Sequence, residues 1–192
     1  MEKILLIGGG GHCRSVIDVI EQEGRFQIVG IIDRPELLST HVLGYEVIGS
    51  DSELAKLSKL YRYALVAVGQ IRSASLRIKL FELTKAAGFI LPTIISPRAY
   101  VSDHATVGAG TVVMHDALVN AGAVVGHNCI INTKALIEHE SVIEDHCHIA
   151  TAAVINGNVR VAEGSFIGSG AVSKESVTIK EHSVIKAGSV VK

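Results

Sequence analysis

The chain has 192 residues, 48% of them apolar and 19% charged, with a formal net charge of -1. That length fits one large domain or two small ones, and the composition excludes a disordered chain. Near-neutral charge, with no long basic stretch and no aromatic platform, argues against nucleic acid or a membrane surface as partner, and the opening MEKILLIGGGG is too short an apolar run for a signal peptide or a span.

Residues 3–7 (KILLI) read as a buried parallel strand, followed by glycines 8–11 and an apolar-periodic segment, Ser15 to Glu23, suited to a helix that Gly24 can end. Residues 27–32 (QIVGII) give a second strand, closed by Asp33 and the turn residues Arg34-Pro35. A short element at Glu46 to Ile48 precedes Asp51, an N-cap for a helix from Leu54 to Leu60. Ala64 to Val68 forms the third main strand, stopped by Gly69. Ser73 to Ala87 has helical spacing and ends at Gly88, and Phe89 to Ile95 reads as a last strand, Pro92 keeping part of it off a central position. This alternation predicts a small parallel α/β sheet of Rossmann-like type over residues 1–96.

From Ala99 onward the chain divides without a gap into six-residue blocks, beginning AYVSDH, ATVGAG, TVVMHD. The third place is Val or Ile in fifteen of the sixteen blocks, Ser173 being the exception, and the first place is small almost throughout. An unbroken period of six predicts an all-β parallel β-helix over 97–192, with third-place residues filling the interior and residues eighteen apart stacked. Cys129 and Cys147 are eighteen apart in first places and read as stacked core residues. Cys13, Cys129 and Cys147 have no metal or redox spacing, which suits a reducing cytoplasm.

Two segments carry candidate chemistry. Gly8 to Gly11 with His12 lie between strand and helix, where backbone N–H groups can face an anion. Asp33 ends the second strand, where a dinucleotide fold places its ribose-binding acid, but Cys13 stands where the third glycine of G-x-G-x-x-G belongs. A tight ligand-free turn and a nicotinamide dinucleotide both remain open readings of this loop. The second segment is His139, bracketed by Glu138 and Glu140 and stacked between Ala121 and Gly157, two small neighbours that leave room for a ligand against the imidazole. Glu138 stacks between Asn120 and Asn156. His148, half a coil away, belongs to another side of the prism and meets His139 only across a subunit interface. His104, His115, His127, His146 and His182 read as corner residues facing solvent.

The run Ile4-Leu-Leu-Ile-Gly-Gly-Gly-Gly-His12 and the run Leu136-Ile-Glu-His-Glu140 followed by His148, on a six-residue repeat, resemble the hexapeptide-repeat sugar acetyltransferases that carry a nucleotide-binding domain before the solenoid. The resemblance implies a left-handed β-helix, acetyl-CoA as co-substrate with no metal, a homotrimer with active sites between subunits, and a sugar or nucleotide-sugar acceptor. It assigns His139 as general base, Glu140 as its orienting acid, His148 to the acetyl-CoA site and Gly157 as a backbone oxyanion donor. It also places the acceptor near Gly10, Gly11 and His12, with Asp33, Gly69 and Arg72 in the same crevice. N-acetylation of a nucleotide-linked amino sugar in bacterial surface-glycan synthesis is the leading expectation. O-acetylation of a sialic-acid-like sugar, a non-catalytic sugar-nucleotide-binding trimer and a zinc solenoid of three convergent histidines are the alternatives. Relatives continue into a tail that helps hold the CoA adenine end, whereas this sequence stops at Val191-Lys192; the expectation is a shortened or differently built CoA site.

Overall fold

A computed structural model describes all residues from 1 to 192. The chain forms two compact units: Met1–Gly69 with Arg77–Pro92, and Gln70–Leu76 with Thr93–Lys192.

The first unit is built on β1 (Glu2–Ile7), α1 (Gly11–Glu23), β2 (Phe26–Ile32), β3 (His41–Val42), β4 (Tyr45–Gly49), α2 (Leu54–Leu57), β5 (Tyr63–Val66) and α3 (Ser75–Ala86). The sheet order is β3-β4-β2-β1-β5, parallel except for the β3–β4 hairpin. Ile4 to Ile7 of the central strand are fully buried, as a parallel strand covered on both faces must be. Helix α1 begins at Gly11, four residues before the apolar periodicity shows, because glycine and histidine carry little helical signal. It stops at Gly24, whose φ of 73° lets its N–H close on Ile20 C=O. The helix expected to reach Leu60 is a single turn, and in place of an Asp51 cap a Ser50–Glu53 capping box opens the 3-10 turn Asp51–Glu53 that leads into it.

The strand expected over Phe89 to Ile95 does not form. Ile90 makes only an isolated bridge to Tyr63, and Ile94–Ile95 is already the first solenoid strand, paired with Val112–Val113. The reason is legible afterwards: Thr93-Ile-Ile-Ser-Pro-Arg is one more six-residue block in phase with those that follow.

In the second unit, two-residue strands stack into three parallel sheets of six, five and six strands. Residues eighteen apart pair directly, Leu118 with Leu136 and Leu136 with Val154. The interior is a column of third-place Val and Ile, flanked by Ala117, Ala123, Cys129, Ala135, Cys147 and Ala153. Each buried Val or Ile contributes roughly 1.5–3 kcal/mol, so the repeat itself holds the coils together. From Gly110 to Gly188 every sixth residue has a positive φ, so the corner after each strand turns in the left-handed region. One corner histidine departs from expectation: His146 is buried, its Nδ1 2.9 Å from the buried Asn128 Nδ2 one coil earlier.

Candidate active site

His139 lies in the turn that leaves the strand Leu136–Ile137. Its side chain is 61% exposed, and Nδ1 lies 3.5 Å from the Glu140 carboxylate. A carboxylate on Nδ1 leaves Nε2 as the nitrogen available to an incoming group. Glu138 turns away from the ring: its Oε2 accepts from Asn120 Nδ2 at 2.8 Å and from the His139 N–H at 3.2 Å. That fixes the turn on which the imidazole stands.

One coil further on, the imidazole lies over Gly157. A Cβ on Gly157 would sit 2.7 Å from His139 Cε1 and 2.8 Å from Nε2. The space expected for a ligand on this side is therefore filled by the ring itself. Glycine is required here by close approach and not by backbone angle, since its φ is not positive. The Gly157 C=O accepts from Ser176 N–H at 3.0 Å, while its own N–H has no hydrogen-bond partner in the chain. These groups open on a cleft of about 710 Å³ lined by residues 138–140 and 156–158 with Glu175 and Ser176. Glu138, Glu140 and Glu175 make it acidic, with no Lys or Arg among its lining residues.

His148 stands on a different face of the prism, in the strand His148–Ile149, and is buried. Its Nδ1 is 2.7 Å from Gln70 C=O, which can only accept, so this nitrogen carries the proton. Its Nε2 faces Asn132 Nδ2 at 3.1 Å, and the Asn132 Oδ1 accepts from Thr133 N–H, so Nε2 is the acceptor of a neutral ring. Gln70 is itself buried and donates from Nε2 to Gly164 C=O at 3.0 Å. Both holders of His148 escape sequence reading. Asn132 occupies a fourth place like Asn120, a usable signal; Gln70 offers none, being brought in by the strap Gln70–Leu76 that packs with the solenoid.

In the first unit, Gly8 needs glycine twice over, with φ of 97° and a Cβ that would meet Val68 Cγ2. Gly10 and Gly11, at the start of α1, face open space, so nothing in the protein fills the volume their side chains lack. His12 and Gly69 pack together, a Gly69 Cβ falling 3.3 Å from His12 Cβ. Asp33 acts on the loop itself: Oδ2 accepts from Gly9 N–H at 2.6 Å and Oδ1 from Arg34 N–H at 2.7 Å. Arg72 is exposed and belongs to the strap that packs with the solenoid, while Gly69 closes the first unit. Nowhere in the chain do three His, Cys, Asp or Glu side chains gather into a metal-binding group.

Residues 3–82 match the family described as PglD N-terminal domain. Comparison with curated proteins returns no match. Among solved structures, a variant of perosamine N-acetyltransferase from Caulobacter crescentus, in complex with CoA and GDP-perosamine, is similar with a TM-score of 0.94 and 33% identity, over 100% of this chain and 89% of that one. The acetyltransferase domain of PglB from Neisseria gonorrhoeae is similar with a TM-score of 0.92 and 36% identity, over 100% of this chain and 92% of that one. The same domain in complex with acetyl coenzyme A gives a TM-score of 0.89 and 34% identity, over 99% and 92%. A six-residue solenoid behind a glycine-loop α/β unit, matched along its whole length at such identity, settles the family: the chain belongs to the hexapeptide-repeat sugar acetyltransferases with a PglD-type N-terminal domain and a left-handed β-helix.

Proposed function

We propose that the chain transfers the acetyl group of acetyl-CoA to the amine of a nucleotide-linked amino sugar in surface-glycan synthesis, with His139 as general base. The observation that carries this reading is the His139–Glu140 pair seated on Gly157, beside an N–H that nothing in the chain occupies. A thioester carbonyl placed there would meet a backbone donor for its oxygen and a base for the proton of its attacker. The similar structures with CoA and GDP-perosamine, and with acetyl coenzyme A, support the two substrates.

The neutral amine attacks the thioester carbonyl, forming the C–N bond while negative charge gathers on oxygen, opposite the Gly157 N–H. His139 Nε2 takes the proton from the new ammonium centre, and Glu140 stabilises the imidazolium through Nδ1. The C–S bond then breaks, and the CoA sulfur leaves and receives that proton. No enzyme nucleophile is needed. The three carboxylates of the cleft favour an acceptor that arrives as an amine in equilibrium with its cation over a neutral hydroxyl. The open volume at Gly10 and Gly11, at the N-terminus of α1, suits the acceptor's diphosphate.

The active form is a homotrimer. One solenoid face carries Tyr100, Leu118, Leu136, Val154, Val172 and Val190 in its outward second places, with Tyr100 and Val190 strongly exposed. His139 lies in the corner that follows Leu136, beside the middle of this apolar column, so a subunit covering the column would complete the cleft. No helix is long and apolar enough to cross a membrane, and three free, buried cysteines suit a reducing cytoplasm. The test is incubation with acetyl-CoA and GDP-, UDP- and dTDP-linked 4-amino sugars and sialic acid. A product acetyl group that survives hydroxylamine is an amide and supports the reading. A hydroxylamine-labile product, made only from a hydroxyl acceptor, would replace it with O-acetylation.

A further inference from the structure

Ser173 is the one third-place residue from Ala99 onward that is neither Val nor Ile, and it changes the hydrogen-bond ladder. At every other fourth place with a coil above it, the N–H donates to the third-place C=O seventeen residues on: Asn120 to Ile137, Asn132 to Ile149, Glu138 to Ile155, Glu144 to Val161. Asn156 does not. Its N–H donates to Ser173 Oγ at 2.9 Å, and its side-chain Nδ2 donates to the Ser173 C=O so released, at 2.6 Å. Strand pairing accordingly stops at Val154 with Val172, where the neighbouring pairs on this face register two residues.

The exchange has a consequence at the next residue. Asn120, Asn132 and Glu138 each turn a side-chain oxygen onto the N–H that follows, capping Ala121, Thr133 and His139 at 2.8, 2.8 and 3.2 Å. Asn120 and Asn132 reach with Nδ2 to side chains of the next coil, Glu138 and His148, which leaves Oδ1 over the following N–H. Asn156 reaches instead to a main-chain carbonyl; its Oδ1 makes no hydrogen bond, and the Gly157 N–H stays uncapped beside the His139 ring.

We infer that Ser173 is a positioning residue of the acetyl-transfer site: by offering its hydroxyl in place of its carbonyl, it draws the Asn156 amide onto its own C=O and keeps the Gly157 N–H free for the thioester oxygen. The inference rests on the acetyl-transfer reading above. It gives a role to a buried hydroxyl in a column otherwise built of Val and Ile, one that lies behind the cleft and reaches it through Asn156, which lines it.

Ser173→Val installs the residue type of the other third places, and Ser173→Ala removes the hydroxyl with no added bulk, so one of the two keeps the fold. In both, Asn156 N–H returns to the C=O of residue 173 and its side chain caps Gly157. The expected result is a fall in kcat of about 100-fold, the scale of a lost oxyanion donor, with KM for acetyl-CoA little changed. Adding Asn156→Ala to Ser173→Val removes the cap and restores most of the rate, which loss of packing would not allow. Ser173 variants with wild-type kcat, or a double variant as slow as Ser173→Val, overturn the inference. Amide hydrogen exchange at Gly157, measured by NMR, decides the placement even if the wild type transfers no acetyl group. Fast exchange in the wild type that slows in Ser173→Val supports it, and equal exchange in the two overturns it.

Discussion

Gly157→Ala separates the chemistry of the site from its stability. The new Cβ would stand 2.7 Å from His139 Cε1, whereas ordinary contact begins at 3.4 Å, so the imidazole must retreat by about 0.7 Å. The ring is largely exposed and can swing outward, and the backbone angle of Gly157 suits alanine. The fold should therefore lose nothing and gain up to ~1 kcal/mol from a stiffer unfolded chain. Catalysis should suffer, because displacing a reacting group by ~1 Å costs about 100-fold, equivalent to ~2.7 kcal/mol of barrier. Steady-state CoA release and a urea melt on the same preparation read the two effects. In a His139→Ala background the same change should add almost nothing, since the group it displaces is gone. A Gly157→Ala enzyme with unchanged kcat/KM, or one that slows His139→Ala by a further 100-fold, would refute the reasoning.

Three further outcomes follow from the geometry. Asp33→Ala removes the acceptor of the Gly9 and Arg34 N–H groups, so urea unfolding should show a loss of about 1.5–3 kcal/mol, and KM for the sugar nucleotide should rise while KM for acetyl-CoA does not. Leu118→Glu, in the apolar column, should convert a trimer to monomers in sedimentation and abolish transfer; a trimer of full activity would remove the proposed interface. Burial first, then the Asp33 carboxylate, pushes the Cys13 thiol up to about 12 from its ordinary 9.0, and burial raises Cys147 too. Folded, both thiols hold a proton that the unfolded chain releases above pH 9, so their contribution is complete below pH 9 and is lost as pH rises toward the folded values. The slope is about 1.4 kcal/mol per pH unit for each thiol; alkaline urea titrations of wild type and Cys13→Ala should differ by one such slope, and parallel curves would contradict it.

The solenoid is legible because its rule is local and repeated: a third-place Val or Ile, a small first place, and eighteen residues to the stacked neighbour. Those positions alone put Glu138 beside Asn120 and His139 over Gly157, as the structure has them. What escapes reading is what depends on a distant or atypical partner. Gln70 reaches His148 across 78 residues of sequence with no motif to announce it. His146 shares its place in the block with exposed His104 and His182, yet it stands on the one corner whose residues Gly110, Asn128 and Gly164 are also buried. The β3–β4 hairpin turns on Leu43 and Gly44, both at positive φ, and leucine is not a residue that advertises such a turn. Ser173 is visible as an exception, but its effect on the ladder and on Asn156 appears only with the hydrogen bonds in place.

The central claim is that His139 is the base of an acetyl transfer to a nucleotide-linked amine. Free-thiol release from acetyl-CoA with GDP-linked 4-amino sugar, compared between wild type and His139→Ala, addresses it directly. Turnover is expected in the wild type and a loss of at least ~100-fold in the variant, the range expected on removing a general base, with the variant still folded and still binding both substrates. Equal rates in the two proteins would contradict the role of His139. A folded wild type that binds the sugar nucleotide but releases no CoA with any acceptor would contradict the acetyl transfer itself.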